Sequence, residues 1–364
     1  MIVFSILRLK SGLITDIVAA KIPLIFVIIK FYVKSIVIKV YKYHMKILAV
    51  QNRMGIGDNI IFLPFIKALS KKFNSPISLL IKKNTKGDQY LYQTKYIDKI
   101  IFLERDNEIK NKHDGLLGSF NLIKEIKKFN FDKIIIFNSS LRFNLIAKFS
   151  GIKEIYQYPL FQKKKQNIIE TPKKFVKEKF NLLVNDDPEI EIDETLISES
   201  INKFQINKKE TNILLGIGGS GPSKRIPAST FINVIEKISK IRICKFFLAT
   251  GKIDEEQVIL NYILKSKFGA ICKPLDAFSI KEILPLIKSC DLSICNDTSF
   301  SHLSAALGVK TITLMADTPL IYGNYSSKMF PIIPDGEETV SHNTLGKEKI
   351  SSQKIIDKFI EIIN

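Results

Sequence analysis

The 364-residue chain has no tryptophan, and its four cysteines (Cys244, Cys272, Cys290 and Cys295) form no CxxC pair. Each cysteine sits in or beside an apolar run, which indicates small buried thiols in a reducing compartment and not a disulfide framework. No His/Cys cluster occurs at ligand spacing, so a structural zinc site is not expected. A DxD triplet is absent as well. Long uncharged apolar runs are also missing. The longest, Ile22 to Ile29, falls far short of the roughly 20 residues that cross a bilayer. No helix-turn-helix, zinc-finger or RNA-recognition signature is present. Acidic residues are scarce: 36 Asp and Glu stand against 55 Lys and Arg, a net charge of +19. The lysines are spread along nearly the whole chain beside abundant isoleucine and asparagine. That diffuse pattern gives no nucleic-acid footprint, and it suits an anionic membrane or a phosphorylated or acidic substrate.

Residues 1–45 differ from the rest. Ile, Val, Leu and Phe dominate, punctuated by Lys10, Lys21, Lys30, Lys34, Lys39 and Lys42. No small-residue cleavage site follows, so a signal peptide fits poorly. The segment reads as a basic apolar extension lying in the interface of an anionic leaflet. A helix packed on the core, or a start codon placed upstream of Met45, are the alternatives.

From Lys46 onward short apolar runs alternate with amphipathic stretches. Strands are expected at Lys46–Gln51, Ile77–Ile81, Lys99–Leu103 and Lys133–Phe137, with helices at Phe120–Lys128 and Leu141–Phe149. Such alternation predicts βαβ units and parallel sheets. The alternation breaks between Phe161 and Lys209, a lysine-rich stretch with a helix near Lys173–Leu183 that turns acidic at Asp186–Glu194 and reads as the end of the first domain plus a linker. It resumes with strands at Asn212–Ile217, Ile243–Ala249, Asp291–Cys295 and Thr311–Met315. Ser279 and Glu282 have capping-box spacing and open another helix. The expected fold is α/β: two Rossmann-like open parallel-sheet domains facing across a cleft, residues 46–205 and 206–350. A C-terminal helix over 351–364 could pack back across them.

Three polar loops fall after strands, where ligands bind in such sheets. The first is Asn52-Arg53-Met54-Gly55-Ile56-Gly57-Asp58-Asn59. Its glycines permit a sharp turn and place Asp58 near a helix N-terminus, where an N-cap is the simpler use of an aspartate. The second, Gly218-Gly219-Ser220-Gly221-Pro222-Ser223-Lys224-Arg225-Ile226-Pro227, offers consecutive backbone N–H groups to a diphosphate and a lysine to its charge. It lacks Walker spacing, and a flexible surface loop is the alternative. The third, Asn296-Asp297-Thr298-Ser299-Phe300-Ser301-His302, joins a buried strand to a small-residue helix closed by Gly308. A carboxylate, hydroxyls and an imidazole at a helix N-terminus make an anion site. The three loops together indicate a nucleotide-diphosphate site.

These residues resemble glycosyltransferase family 9, the ADP-heptose:lipopolysaccharide heptosyltransferases of GT-B fold, over roughly Lys46 to Ser327. Gly57-Asp58 with Leu63-Pro64 match the N-terminal signature, and Lys224-Arg225-Ile226-Pro227 match the middle one. Asp297 through Gly308 match the specific C-terminal motif. The resemblance implies inverting transfer of heptose from ADP-heptose to a lipid-linked glycan acceptor of the lipopolysaccharide core. The absent DxD triplet suits a metal-independent enzyme with no other cofactor, and a peripheral place on the cytoplasmic face of the inner membrane is expected. Carried over residue by residue, the resemblance makes Asp58 the general base and sets Lys224 on the donor diphosphate or sugar. It sets Asp297 on the sugar hydroxyls, and Thr298, Ser299 and His302 on the diphosphate. Gly57, Gly218, Gly219 and Ser220 complete the expected donor site. Lys82, Lys83, Arg105, Arg142 and residues 163–165 are acceptor candidates. Three departures bear on the donor sugar: Ser299 replaces a glycine, Ile226 an aromatic residue, and Ala316-Asp317 a Gly-Pro pair. A nucleotide-sugar epimerase or hydrolase of the same fold, and a non-catalytic membrane-associated nucleotide-binding protein, are the competing readings.

Overall fold

Short runs of Ile, Leu and Val become strands because both faces of each run are covered, as purely parallel sheets require. The computed structural model describes residues 45–105, 111–162 and 166–363; the readings of residues 1–44 and 163–165 lie outside them. The first sheet contains β1 (Ile47–Val50), β2 (Ile77–Lys82), β3 (Ile97–Leu103), β4 (Lys133–Ile136) and β5 (Glu154–Gln157). Its order is β3-β2-β1-β4-β5, all parallel. The second contains β6 (Thr211–Gly216), β7 (Cys244–Ala249), β8 (Cys272–Pro274), β9 (Leu292–Asn296), β10 (Thr311–Leu314) and β11 (Met329–Ile332). Its order is β11-β10-β9-β6-β7-β8, again all parallel.

Both orders are doubly wound. The chain starts mid-sheet, builds outward on one side, then returns to the middle and builds the other way. A crevice opens where the direction reverses, at the carboxyl ends of β1 and β4 and of β6 and β9. The Gly57-Asp58 loop leaves β1, the glycine-rich loop leaves β6, and the Asp297 turn leaves β9.

The helices bury one stripe each. In helix Ala228–Ile241, Phe231, Val234, Ile235 and Ile238 recur at helical spacing and are fully buried. The tail helix Ser352–Ile363 buries Ile355, Ile356 and Phe359 in the same core and packs on that helix and on β10 and β11. Helix Ile56–Phe73 runs through Pro64 without ending. The capping box at Ser279 and Glu282 is formed.

The acidic stretch read as a linker ties to both halves. Glu189 pairs with Lys67, and its carbonyl accepts from the Tyr96 hydroxyl. Asp187 accepts from the Ser327 backbone at 2.8 Å. The following helix, Glu194–Phe204, packs against helix Ile280–Lys288 of the second half. Residues 46–364 form one unit.

All four cysteines are free, and burial pushes the Cys272 and Cys295 thiols up to about 12. No helix among the described residues is long and apolar enough to cross a membrane.

Asn296 fastens the two loops of the second crevice. Its side chain is fully buried, and Nδ2 donates to the carbonyls of Ile217 at 2.9 Å and Gly218 at 3.0 Å. Asn296→Ala leaves both carbonyls without that donor in a buried place, a loss of about 1–3 kcal/mol. Urea unfolding should show a lower midpoint with an unchanged slope.

Candidate active site

Gly55 opens the first loop with φ 100°, a conformation that glycine adopts without a Cβ penalty. It also occupies the N-cap of helix Ile56–Phe73 and supplies no side-chain cap. Asp58 therefore lies inside the first helical turn and is not the cap that the simpler reading proposed. Among the described residues nothing donates a hydrogen bond to its carboxylate. Burial pushes the Asp58 carboxyl up to about 6, against the pull of Arg53, His302 and Lys224 and with a small push from Asp297. Three of those four charges belong to the other sheet's loops, so the two halves meet at this carboxylate.

Gly57 shows how closely they meet. A Cβ built there would lie 2.5 Å from His302 Cδ2 and Nε2. The imidazole occupies the space that a side chain at position 57 would need. Helix Ile56–Phe73 packs here against helix Ser299–Ala306.

On the second sheet's side, Lys224 Nζ donates to Asp297 Oδ2 at 2.9 Å, and His302 Nε2 lies 3.7 Å from Asp297 Oδ1. The Tyr325 hydroxyl holds His302 Nδ1 at 2.7 Å. Asp297 is 4% exposed. Burial alone would raise its carboxyl, but His302 and Lys224 beside it outweigh that effect. They hold Asp297 well below the usual carboxylate range.

Thr298 is the N-cap of helix Ser299–Ala306 but makes no side-chain cap. Its hydroxyl is buried and has no partner among the described residues. The open end of this helix and the loop Gly218-Gly219-Ser220 line one cavity of about 730 Å³ with Ser299 and Glu256, a size that suits a nucleotide-sized ligand. The amide cradle expected of the glycine-rich loop is only partly open. Gly219 N–H donates to buried Glu256 Oε1 at 2.6 Å. Thr250 on the same cavity also has a buried, unpartnered hydroxyl.

The structure thus brings Gly57, Asp58, Lys224, Asp297, Thr298 and His302 to one place, with Gly218, Gly219, Ser220 and Ser299 around the adjoining cavity. Lys82, Lys83, Arg105 and Arg142 lie along the carboxyl edge of the first sheet, after β2, β3 and β4. Arg105 Nε is 3.7 Å from Asp114, and Arg142 donates to the His113 carbonyl. Among the described residues no group of three or more His, Cys, Asp or Glu could hold a metal ion.

Sequence reading missed four residues of this site. Arg53 acts electrostatically on Asp58 and on Tyr322 of the opposite half. Its position in the Gly57-Asp58 loop was a usable signal. Tyr322, Tyr325 and Glu256 carried none, because only folding sets them beside the motifs.

Residues 119–332 match glycosyltransferase family 9 (heptosyltransferase). The chain belongs to that family. The matched span holds Lys224 and the Asp297–His302 turn, and Asp58 lies upstream of it. Lipopolysaccharide heptosyltransferase 1 of Campylobacter coli is 26% identical over 333 residues, covering 83% of this chain and 93% of that protein. The family 9 glycosyltransferase structure from Veillonella parvula superposes with a TM-score of 0.71 at 18% identity, covering 87% of this chain and 97% of that one. The E. coli heptosyltransferase WaaC with ADP gives 0.64 at 12% identity, covering 87% of this chain and all of that one. At these identities the two structures show a shared GT-B fold. As a member of family 9, this glycosyltransferase has its two sheets where that fold needs them, with the motif residues at the crevice between.

The raised Asp58 carboxyl has a consequence for stability. The folded protein binds a proton more tightly there than the unfolded chain, so the group disfavours the folded state increasingly as pH rises from about 4 to about 6. The full penalty remains above that window. Asp58→Asn removes it. Its melting temperature should match the native protein near pH 4 and exceed it at pH 7, as scanning calorimetry across that range will show.

Proposed function

We propose that the protein transfers heptose from ADP-heptose, with inversion, onto a lipid-linked glycan of the lipopolysaccharide core. The donor would bind in the second domain and the acceptor along the first. The observation that carries this reading is the convergence of an unpartnered, raised carboxyl, Asp58, with the Lys224–Asp297–His302 group from the other half. Family membership supports heptosyl transfer, and the Campylobacter coli relative is itself a lipopolysaccharide heptosyltransferase by name.

Glycosyl transfer passes through an oxocarbenium-like state. The acceptor hydroxyl oxygen forms its bond to the anomeric carbon as the bond from that carbon to the diphosphate oxygen breaks. Two tasks follow: removing the acceptor proton and stabilising the departing ADP. Asp58 in its ionised form takes the proton, and a base with a pKa near 6 is mostly ionised yet still basic at neutral pH. Lys224, His302 and the open N-terminus of helix Ser299–Ala306 take the charge of the leaving diphosphate. The buried Asp297 carboxylate orients Lys224 and His302 toward the donor. Protein groups thus meet both tasks, so we propose a metal-independent reaction.

ADP release from ADP-heptose, measured with and without a lipid A–Kdo acceptor, tests this. The native rate should depend on acceptor and rise with pH through about 6 as Asp58 ionises. Asp58→Asn should lower kcat by about 10²- to 10⁴-fold, with the donor KM little changed. Lys224→Ala should lower kcat by about 10²-fold or more and also raise the donor KM. Undiminished release without acceptor would make the protein a hydrolase, and an Asp58→Asn variant of native activity would remove Asp58 from its role.

A further inference from the structure

Helices Gly115–Lys127 and Leu141–Phe149 lie side by side on one face of the first sheet. Their inner sides are conventional: Leu122, Ile126, Phe143, Ile146 and Ala147 join the core with β1, β3 and β4. Their outer sides are not. Leu116, Leu117 and Phe120 on the first helix are 82%, 74% and 61% exposed, and Leu141, Leu145 and Phe149 on the second are 41%, 42% and 68% exposed. Single exposed apolar residues are ordinary on a soluble surface, but six large ones on two neighbouring helices mark an interaction site. Residues 141, 145 and 149 recur every four positions and form an outward stripe opposite the buried one. A helix in water gains nothing from that second stripe.

Charge decides what covers it. Lys124, Lys127, Lys128 and Lys148 rim the apolar residues and are all exposed. Helix Leu141–Phe149 has no acidic residue, and the one acid of the other helix, Glu125, is engaged by Lys112 and His113. A second copy docked face to face about a twofold axis would set lysine rim against lysine rim. An apolar centre with a basic margin instead matches the acyl and headgroup layers of an anionic bilayer. Both helices begin at the carboxyl ends of strands, so the face borders the crevice that holds Asp58.

We propose that this face docks the protein on an anionic phospholipid membrane, with Leu117, Phe120 and Leu145 entering the interface and the lysines meeting the phosphates. The proposal goes beyond the transfer reaction, and neither donor nor acceptor is needed to test it.

The absence of tryptophan makes the test direct, because any introduced tryptophan is the chain's only one. Phe120→Trp and Leu145→Trp place the reporter on the face. Val258→Trp places it at a still more exposed site (68%) on helix Asp254–Leu264 of the other domain, beside Asp254 and Glu255. With vesicles containing phosphatidylglycerol, emission at 120 and 145 should shift to the blue and be quenched by brominated acyl chains. Emission at 258 should not change, and phosphatidylcholine vesicles should give a weaker response. Replacing Lys124 or Lys148 by alanine should weaken partition about fivefold each. Co-sedimentation without a shift at 120 and 145 would overturn the proposal. So would an equal shift at 258, or emission at 120 already blue before vesicles are added, which would mean that the chain or a second copy covers the face.

Discussion

A buried carboxylate cannot remain charged without partners, and much of the site follows from how Asp297 is satisfied. It lies at the end of β9, nearly sealed from water, with Lys224 2.9 Å away on one oxygen and His302 3.7 Å away on the other. That demand draws the end of the glycine-rich loop down onto the Asp297 turn and turns the His302 ring toward the first domain. The ring then lies against Gly57, where only a residue without a side chain leaves room. Gly57 precedes Asp58, so the same contact brings the Asp58 carboxyl beside the charge cluster. One acid is kept ionised by close cations and the other is raised by burial. Two aspartates in one crevice thus acquire opposite protonation behaviour.

Most of this was legible in the sequence because the central strands are unambiguous. β1, β4, β6 and β9 are short runs rich in Ile, Leu and Val bounded by polar turns, and β1, β6 and β9 carry the motif loops. The strands not anticipated were β5, β8 and β11. Each is an edge strand: β5 ends one sheet, and β8 and β11 end the other. β8 and β11 contain Pro274 and Pro331, which an edge tolerates because one side of the ladder needs no donor. β5 mixes Glu154 and Gln157 with its apolar residues and is exposed at its start. A window-based reading discounts proline and charge together, and at a sheet edge both are permitted. The chemistry showed a similar division. Residues inside motifs were found by spacing. Tyr322, Tyr325 and Glu256 were not, because their partners lie 20 or more residues away and meet them only through packing.

The departures from the family motifs can now be weighed by what those positions do. Ile226 stands where the family has an aromatic side chain, and it is fully buried in the second domain's core; the change is one of packing volume. Asp317, in place of a glycine or proline, accepts the Leu345 N–H at 2.8 Å. That bond holds a turn in which Asn343 and Leu345 take φ of 74° and 53°, conformations that non-glycine residues adopt at some cost. The aspartate therefore fastens a different turn instead of leaving a gap. Ser299 raised the concern that a Cβ would crowd the phosphates. It begins helix Ser299–Ala306 with no positive φ, so the backbone there does not require glycine. Its side chain lines the cavity.

None of the three substitutions touches Asp58, Lys224, Asp297 or His302, and none adds or removes a charge within that group. The three positions thus belong to the walls and supports of the pocket. The shape around Ser299 can therefore differ while Asp58 and the charges facing it stay where they are. Asp297 holds Lys224 and His302 on its own side of the crevice, and His302 in turn meets Gly57 from the other side.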